Sequence, residues 1–157
     1  MIEKELRDNL ERIMKTLPCI DSAILPALQL IQESHGFISE VDMEELAKIL
    51  NFPEARIFSA ASFYSMLKLK PKGRYHIQVC TNVSCSLLEK ESLYDYISEK
   101  LGISHGEHTR DNLFSLEPVE CLGSCGYAPA MIINSDHYEG LDFAKVDEII
   151  NEIKEKK

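Results

Sequence analysis

From Ile2 to about Thr16 the apolar residues Ile2, Leu6, Leu10, Ile13, Met14 and Leu17 recur at intervals of three and four, the spacing of one helix face. A second helix is expected to begin with Asp21 or Ser22 as N-cap, to carry Ile24, Leu28 and Ile31, and to stop at Gly36, with Pro26 bending its first turns. Ser39 followed by Asp42 has the form of a capping pair, and Met43, Leu46, Ala47 and Leu50 continue at helical spacing. Pro53 stands where the first residue of a fourth helix would be, with Ile57, Phe58 and Ala61 on its apolar side. The chain up to residue 72 therefore reads as a helical bundle.

After Gly73 the period changes. Tyr75, Ile77 and Val79 alternate with His76 and Gln78, which predicts a half-buried strand running straight into Cys80. Leu93, Tyr94, Ile97 and Leu101 predict a helix ending at Gly102, and a short strand is expected from Phe114 to Leu116. Ala130 to Ile133 reads as a buried strand, Tyr138 as part of a short neighbouring one, and Val146, Ile149, Ile150 and Ile153 as a closing amphipathic helix. A strand, helix, strands, helix order suits a small sheet covered by helices, for which a thioredoxin-like fold is one candidate. The fold class is thus α+β, with a helical bundle over residues 1–72 and an α/β domain over 73–157.

A chain of 157 residues buries roughly 70% of its unfolded surface and folds without covalent staples, so its cysteines need an explanation other than a disulfide framework. The N-terminus lacks the apolar run of a secretory signal, and no stretch approaches the length of a transmembrane helix. These features lead us to expect a soluble, cytoplasmic protein with reduced thiols and no direct membrane insertion. A net charge of -9 argues against nucleic acid or anionic lipid as partner, since both require basic surface. The single basic run, Lys68, Lys70, Lys72 and Arg74, surrounds a Pro71 and Gly73 turn signal and reads as a solvated linker.

The chemistry lies in two cysteine pairs, Cys80-x4-Cys85 and Cys121-x3-Cys125, each at a strand-to-loop transition. Small residues in and after them (Ser84, Ser86, Gly123, Ser124 and Gly126) allow backbone amides to approach sulfur and donate hydrogen bonds. The spacing alone leaves two metals open, because four thiolates hold a [2Fe-2S] cluster or a structural zinc. With Glu117 and Glu120 beside the third cysteine and no Lys or Arg near either pair, a cluster here is expected to have a fairly low potential. A Rieske centre needs histidines paired with cysteines, and His35, His76, His105, His108 and His137 are not so placed; they read as surface or packing residues. Cys19, alone among apolar neighbours, reads as a small buried hydrophobe. Neither a glycine-rich phosphate loop nor a nucleophile elbow is present, so NADH or flavin chemistry would fall to a partner.

Several longer motifs carry a resemblance. They are Ala23-Ile24-Leu25-Pro26-Ala27-Leu28 leading to Gln32 and Gly36, Ser62-Phe63-Tyr64-Ser65-Met66, the run from Tyr75 to Cys85, and Val119-Glu120-Cys121-Leu122-Gly123-Ser124-Cys125-Gly126-Tyr127-Ala128-Pro129. Over nearly its whole length the chain resembles the 24 kDa-type [2Fe-2S] subunit of NADH:quinone oxidoreductase (complex I), and the related diaphorase subunits of NAD-linked hydrogenases and formate dehydrogenases. The resemblance implies a helical bundle before a thioredoxin-like ferredoxin domain, a [2Fe-2S] cluster on Cys80, Cys85, Cys121 and Cys125, and no catalytic residue of its own. It further implies a hetero-oligomer with a flavoprotein subunit that binds FMN and NADH, peripheral to the inner membrane through its complex. The host is a respiratory, hydrogenase-linked, formate dehydrogenase-linked or bifurcating assembly; a zinc-stabilised adaptor is the competing function. Leu67 and Asp111-Asn112 depart from the family pattern without touching a ligand. Phe63 and Tyr64 are expected as aromatic core between the two halves, and Pro129 as a candidate for the cis-proline of a thioredoxin-like loop.

Overall fold

The computed structural model describes residues 4–88 and 92–156, and the chain divides into two compact units, Met1–Pro71 and Lys72–Lys157. The first unit contains α1 (Lys4–Thr16), a 3-10 turn (Ile20–Ala23), α2 (Ile24–His35), α3 (Glu40–Leu50) and α4 (Glu54–Phe63). The apolar stripes meet as their spacing requires. Leu10, Leu28, Ile31, Leu46, Leu50 and Ile57 are fully buried in one cluster, while Ile2, expected on the first stripe, lies outside the described residues.

The helix ends show where local chemistry overrode simple expectation. Neither Asp21 nor Ser22 caps α2. The 3-10 turn precedes it, and backbone bonds from Ser22 N–H to Cys19 O and from Ile24 N–H to Asp21 O take the place of a side-chain cap. Asp21 instead pairs with Arg56 at 2.6 Å. Pro26 falls in the first turn of α2, where a missing N–H leaves no bond unmade. Gly36 ends this helix with φ 81°, a conformation that favours glycine. At α3 the capping pair closes in both directions: Asp42 N–H donates to Ser39 Oγ at 3.2 Å, and Ser39 N–H donates to Asp42 Oδ2 at 2.9 Å. Pro53 is the N-cap of α4 rather than its first residue.

Two expectations for α4 fail. Ile57 and Ala61 are buried, but Phe58, one step round the helix from Ile57, is 52% exposed. Phe63 and Tyr64, expected as core, lie at the helix's C-terminal end, where no further turn covers them; Phe63 is 78% exposed and meets Tyr64 edge-on at 5.1 Å. Leu67, one of the departures from the family pattern, takes a core position. The segment around it is held by Gln32, whose Nε2 donates to Met66 O and whose Oε1 accepts from Lys68 N–H.

The second unit runs β1 (Tyr75–Cys80), α5 (Val83–Leu88), α6 (Leu93–Leu101), β2 (Phe114–Val119), a 3-10 turn (Cys125–Tyr127), β3 (Ala130–Ile133), β4 (Asp136–Glu139) and α7 (Phe143–Glu155). Its sheet has the order β2-β1-β3-β4, with β1 and β2 parallel and the other two pairings antiparallel. Ile77 and Val79 of β1 join Leu116, Met131, Ile97, Val146 and Ile150 in the core. Gly73 lets β1 approach β2, since a Cβ there would clash with the backbone of Phe114 and Ser115. β2 is longer than expected and passes through Pro118, which an edge strand tolerates because its N–H side needs no partner. The peptide bond before Pro129 is cis.

On the sheet face opposite Ile77 and Val79, His76, Gln78 and Cys80 stand in register with Ser115, Glu117 and Val119. His76 is buried there and used in packing: its Nδ1 is 2.9 Å from Ser115 Oγ and its Nε2 2.9 Å from Glu117 Oε2.

Candidate metal centre

Because β1 is a central strand whose alternate residues fill the core, its last residue, Cys80, is fixed by the sheet itself. Cys80 is 3% exposed and Cys85, carried on the inner side of α5, is 2% exposed. Cys121 follows β2 by two residues and Cys125 opens the 3-10 turn; both are exposed. None of the five cysteines is in a disulfide.

The parallel pairing of β1 with β2 brings the two motifs together. Cys80 pairs with Val119, and Thr81 N–H donates to Val119 O at 2.9 Å, so the loops after both strands leave the sheet side by side. The surroundings of the Cys80 thiol report the result. Burial pushes it up, but this is outweighed by the Asn82 N–H, the Cys85 thiol, the Leu122 N–H and the Cys121 thiol, which together hold it below the ordinary cysteine value. Three of the four expected residues thus converge, with two backbone donors aimed at the most central sulfur. A further donor serves Cys121, whose Sγ accepts from Gly123 N–H at 3.3 Å. Gly123 adopts φ 80°, which a side chain would strain. Cys125, at the surface turn, has its place set by the loop alone.

Cys85 and Cys121 each reach Cys80, but among the described residues no three His, Cys, Asp or Glu side chains close around a single point as one metal ion would require; a two-iron cluster spreads its ligands over two metals. Glu117 is engaged with His76, and Glu120 is exposed, presenting its backbone carbonyl 3.9 Å from Cys80 Sγ. Cys19 is not the buried hydrophobe expected. It is exposed at the start of the 3-10 turn, its Sγ 3.1 Å from Ser22 Oγ, because the turn points it outward. The Asn82 and Leu122 amides are the functional groups that residue types could not reveal, since any non-proline residue offers an N–H and only the loop path aims it.

Residues 10–154 match the family model for the thioredoxin-like [2Fe-2S] ferredoxins. The chain belongs to the thioredoxin-like [2Fe-2S] ferredoxin family. Among relatives of this ferredoxin, an NADH-quinone oxidoreductase subunit of Rhizobium meliloti is 39% identical over 145 residues, covering 92% of this chain and 86% of the relative. NADH-quinone oxidoreductase subunit 2 of Thermus thermophilus is 44% identical over 117 residues, covering 74% of this chain and 65% of the relative. The fold also superposes on the NAD+-reducing [NiFe]-hydrogenase in its H2-reduced state with a TM-score of 0.71 at 25% identity, over 85% of this chain but only 22% of that one. The thioredoxin-like fold expected from the sequence is therefore the fold of the family, and its cofactor is a [2Fe-2S] cluster. The Cys80, Cys85 and Cys121 thiols, with N–H donors on two of the sulfurs, fit what a thiolate-bound cluster demands, while Cys125 is put forward by its spacing from Cys121.

Proposed function

We propose that this ferredoxin is the electron-transfer subunit of the NADH-oxidising module of an NADH:quinone oxidoreductase, and that Cys80, Cys85, Cys121 and Cys125 are the ligands of its single cluster. The observation that carries the assignment is the convergence of Cys80, Cys85 and Cys121 around backbone donors at the ends of two parallel strands. The names of the curated relatives support the host complex.

When bound, the cluster supplies reversible one-electron chemistry. The chain's own residues set the terms. Depressing the Cys80 thiol favours the thiolate that iron requires. The Asn82, Leu122 and Gly123 amides would spread the negative charge of the sulfurs, and β1 with α5 would exclude water from one pair while the other stays at the surface. Oxidation of NADH belongs to a flavoprotein subunit carrying FMN, which takes an electron pair and passes it on singly. No helix of the described residues is long and apolar enough to cross a membrane, which accords with a subunit held peripheral to the inner membrane, on its cytoplasmic side, by its complex.

A second host is supported by one observation, the superposition on the NAD+-reducing hydrogenase. The two hosts differ in the subunits that accompany the chain. Affinity purification of the tagged chain from its native cells, followed by subunit, flavin and metal analysis, is expected to return a red-brown complex containing iron and FMN. A colourless chain that holds only zinc would contradict the proposal.

A further inference from the structure

The connection from α6 to β2, residues 102–113, is longer than such a crossover requires, and electron transfer makes no use of it. It is firmly held. Gly106 N–H donates to Leu116 O at 3.0 Å, Leu116 N–H to Glu107 O at 3.4 Å and Thr109 N–H to Phe114 O at 2.8 Å, so this segment lies along the outer edge of β2 with His108 opposite Ser115. In that antiparallel pattern the N–H and C=O of His108 itself point away from β2. Between the segment and the end of α6 is a cleft of about 710 Å³, within the range of small-molecule sites, whose lining includes Leu101, Ile103, Glu107, His108 and Arg110. Ser104 N–H donates to Glu107 Oε2 at 2.8 Å, which fixes the carboxylate and leaves Oε1 to accept from a ligand. Arg56 and Lys100 are each paired with an acid, whereas exposed Arg110 has no ion pair or side-chain hydrogen bond among the described residues.

We propose that this cleft binds a ribose phosphate, either free or as part of a nucleoside monophosphate. The Arg110 guanidinium, a planar fork of donors, matches a phosphate, and the outward N–H of His108 adds a backbone donor beside it. Glu107 repels a bare anion, so the ligand must carry hydroxyl donors as well as its negative group; the two hydroxyls of a ribose supply them. Leu101 and Ile103 form the apolar wall against which the sugar or an attached base lies. Because the loop is already pinned to β2, little ordering is left to oppose binding. The site flanks Ser115, near the start of β2, whereas Cys121 follows that strand's end, so occupancy of the cleft is independent of the metal centre.

The test is equilibrium dialysis of the full chain, purified anaerobically with its metal centre intact, against AMP, ribose 5-phosphate and inorganic phosphate. Wild type is compared with Arg110→Gln, Glu107→Gln and, on α7 away from the cleft, Lys154→Gln, with circular dichroism confirming that each variant is folded. Wild type and Lys154→Gln are expected to bind one AMP or ribose 5-phosphate per chain with a Kd of about 1 mM or tighter. Arg110→Gln should weaken both at least about tenfold, and Glu107→Gln should weaken both while leaving inorganic phosphate unaffected or bound more tightly. AMP bound more tightly than ribose 5-phosphate assigns the cleft to a nucleotide, and equal binding assigns it to the free sugar phosphate. No saturable binding of either compound, inorganic phosphate bound as tightly as both, or an Arg110→Gln variant that binds like wild type overturns the inference and leaves the proposed function standing.

Discussion

The two cysteine pairs of this ferredoxin are built in opposite ways. Cys80 and Cys85 sit in regular elements, 3% and 2% exposed, whereas Cys121 and Cys125 are exposed in a loop. One half of the site is a by-product of the fold's core; the other half is held by backbone turns and has little to lose in stability if it moves. Under the proposed assignment, the buried half would fix the cluster's position while the open half would leave it close to the surface.

The largest effect expected is on cluster content. Replacing any of the four cysteines with Ala should abolish the visible absorption of the purified protein, but the apo chains should then differ. Cys85→Ala is expected to cost about 1 kcal/mol in a denaturant titration, and Cys125→Ala no more than about 0.5 kcal/mol. Equal costs would show that the two pairs are anchored alike.

The helical unit offers a counterpart to Cys80 in Asp42, a buried acid held charged by donors. Burial pushes Asp42 up, but the Ser39 hydroxyl, the Ser39 N–H and His35, whose Nδ1 is 3.1 Å away, outweigh it and hold it below the usual carboxylate value. A carboxylate whose folded value is depressed stabilises above its unfolded value, about pH 4, and loses that contribution as pH falls through the folded one. Asp42→Asn should therefore destabilise the helices by about 1 kcal/mol at neutral pH and flatten the acid limb of a pH titration followed by circular dichroism. An unchanged acid limb would show that the bonds to Asp42 do not favour its charged form.

Gly123→Ala probes the open half alone. A side chain at φ 80° is strained by about 1 kcal/mol, and the donor to Cys121 Sγ moves with it. The expected result is faster cluster loss in air, read as decay of visible absorption, with apo stability nearly unchanged. The smallest effect is expected at Glu120. Its carboxylate is exposed and screened, so Glu120→Gln should raise the potential by only about 20 mV, from roughly 0.5 kcal/mol of surface interaction. Of the two acids placed beside the cysteines by sequence, Glu117 is already paired with His76, leaving burial of Cys80 and Cys85 as the main reason to propose a low potential.

Much of this was legible in the chain. Periodicity marked the helices and β1 because long amphipathic elements repeat their burial pattern several times. It failed for α5, whose six residues Val-Ser-Cys-Ser-Leu-Leu complete fewer than two turns, and it stopped β2 early because Pro118 reads as a breaker unless the strand is known to be an edge. Phe63 and Tyr64 misled for a simpler reason: large aromatic rings favour burial, and only the end of α4 decides that these are exposed. The cysteine spacing identified the ligand candidates but not the metal. The parallel register of β1 and β2, which brings Cys80 beside Cys121, is a long-range pairing that no local pattern encodes.

Four thiolates on this chain, in the assignment proposed above, hold one [2Fe-2S] cluster. Anaerobically purified protein should be analysed for iron, zinc and acid-labile sulfide, and by electron paramagnetic resonance after reduction. The expected result is two irons and two sulfides per chain with a paramagnetic signal that appears on reduction and is lost when Cys80, Cys85, Cys121 or Cys125 is replaced by Ala. Zinc in place of iron, or a cluster that survives any one of those replacements with its spectrum unaltered, would overturn the four-cysteine assignment.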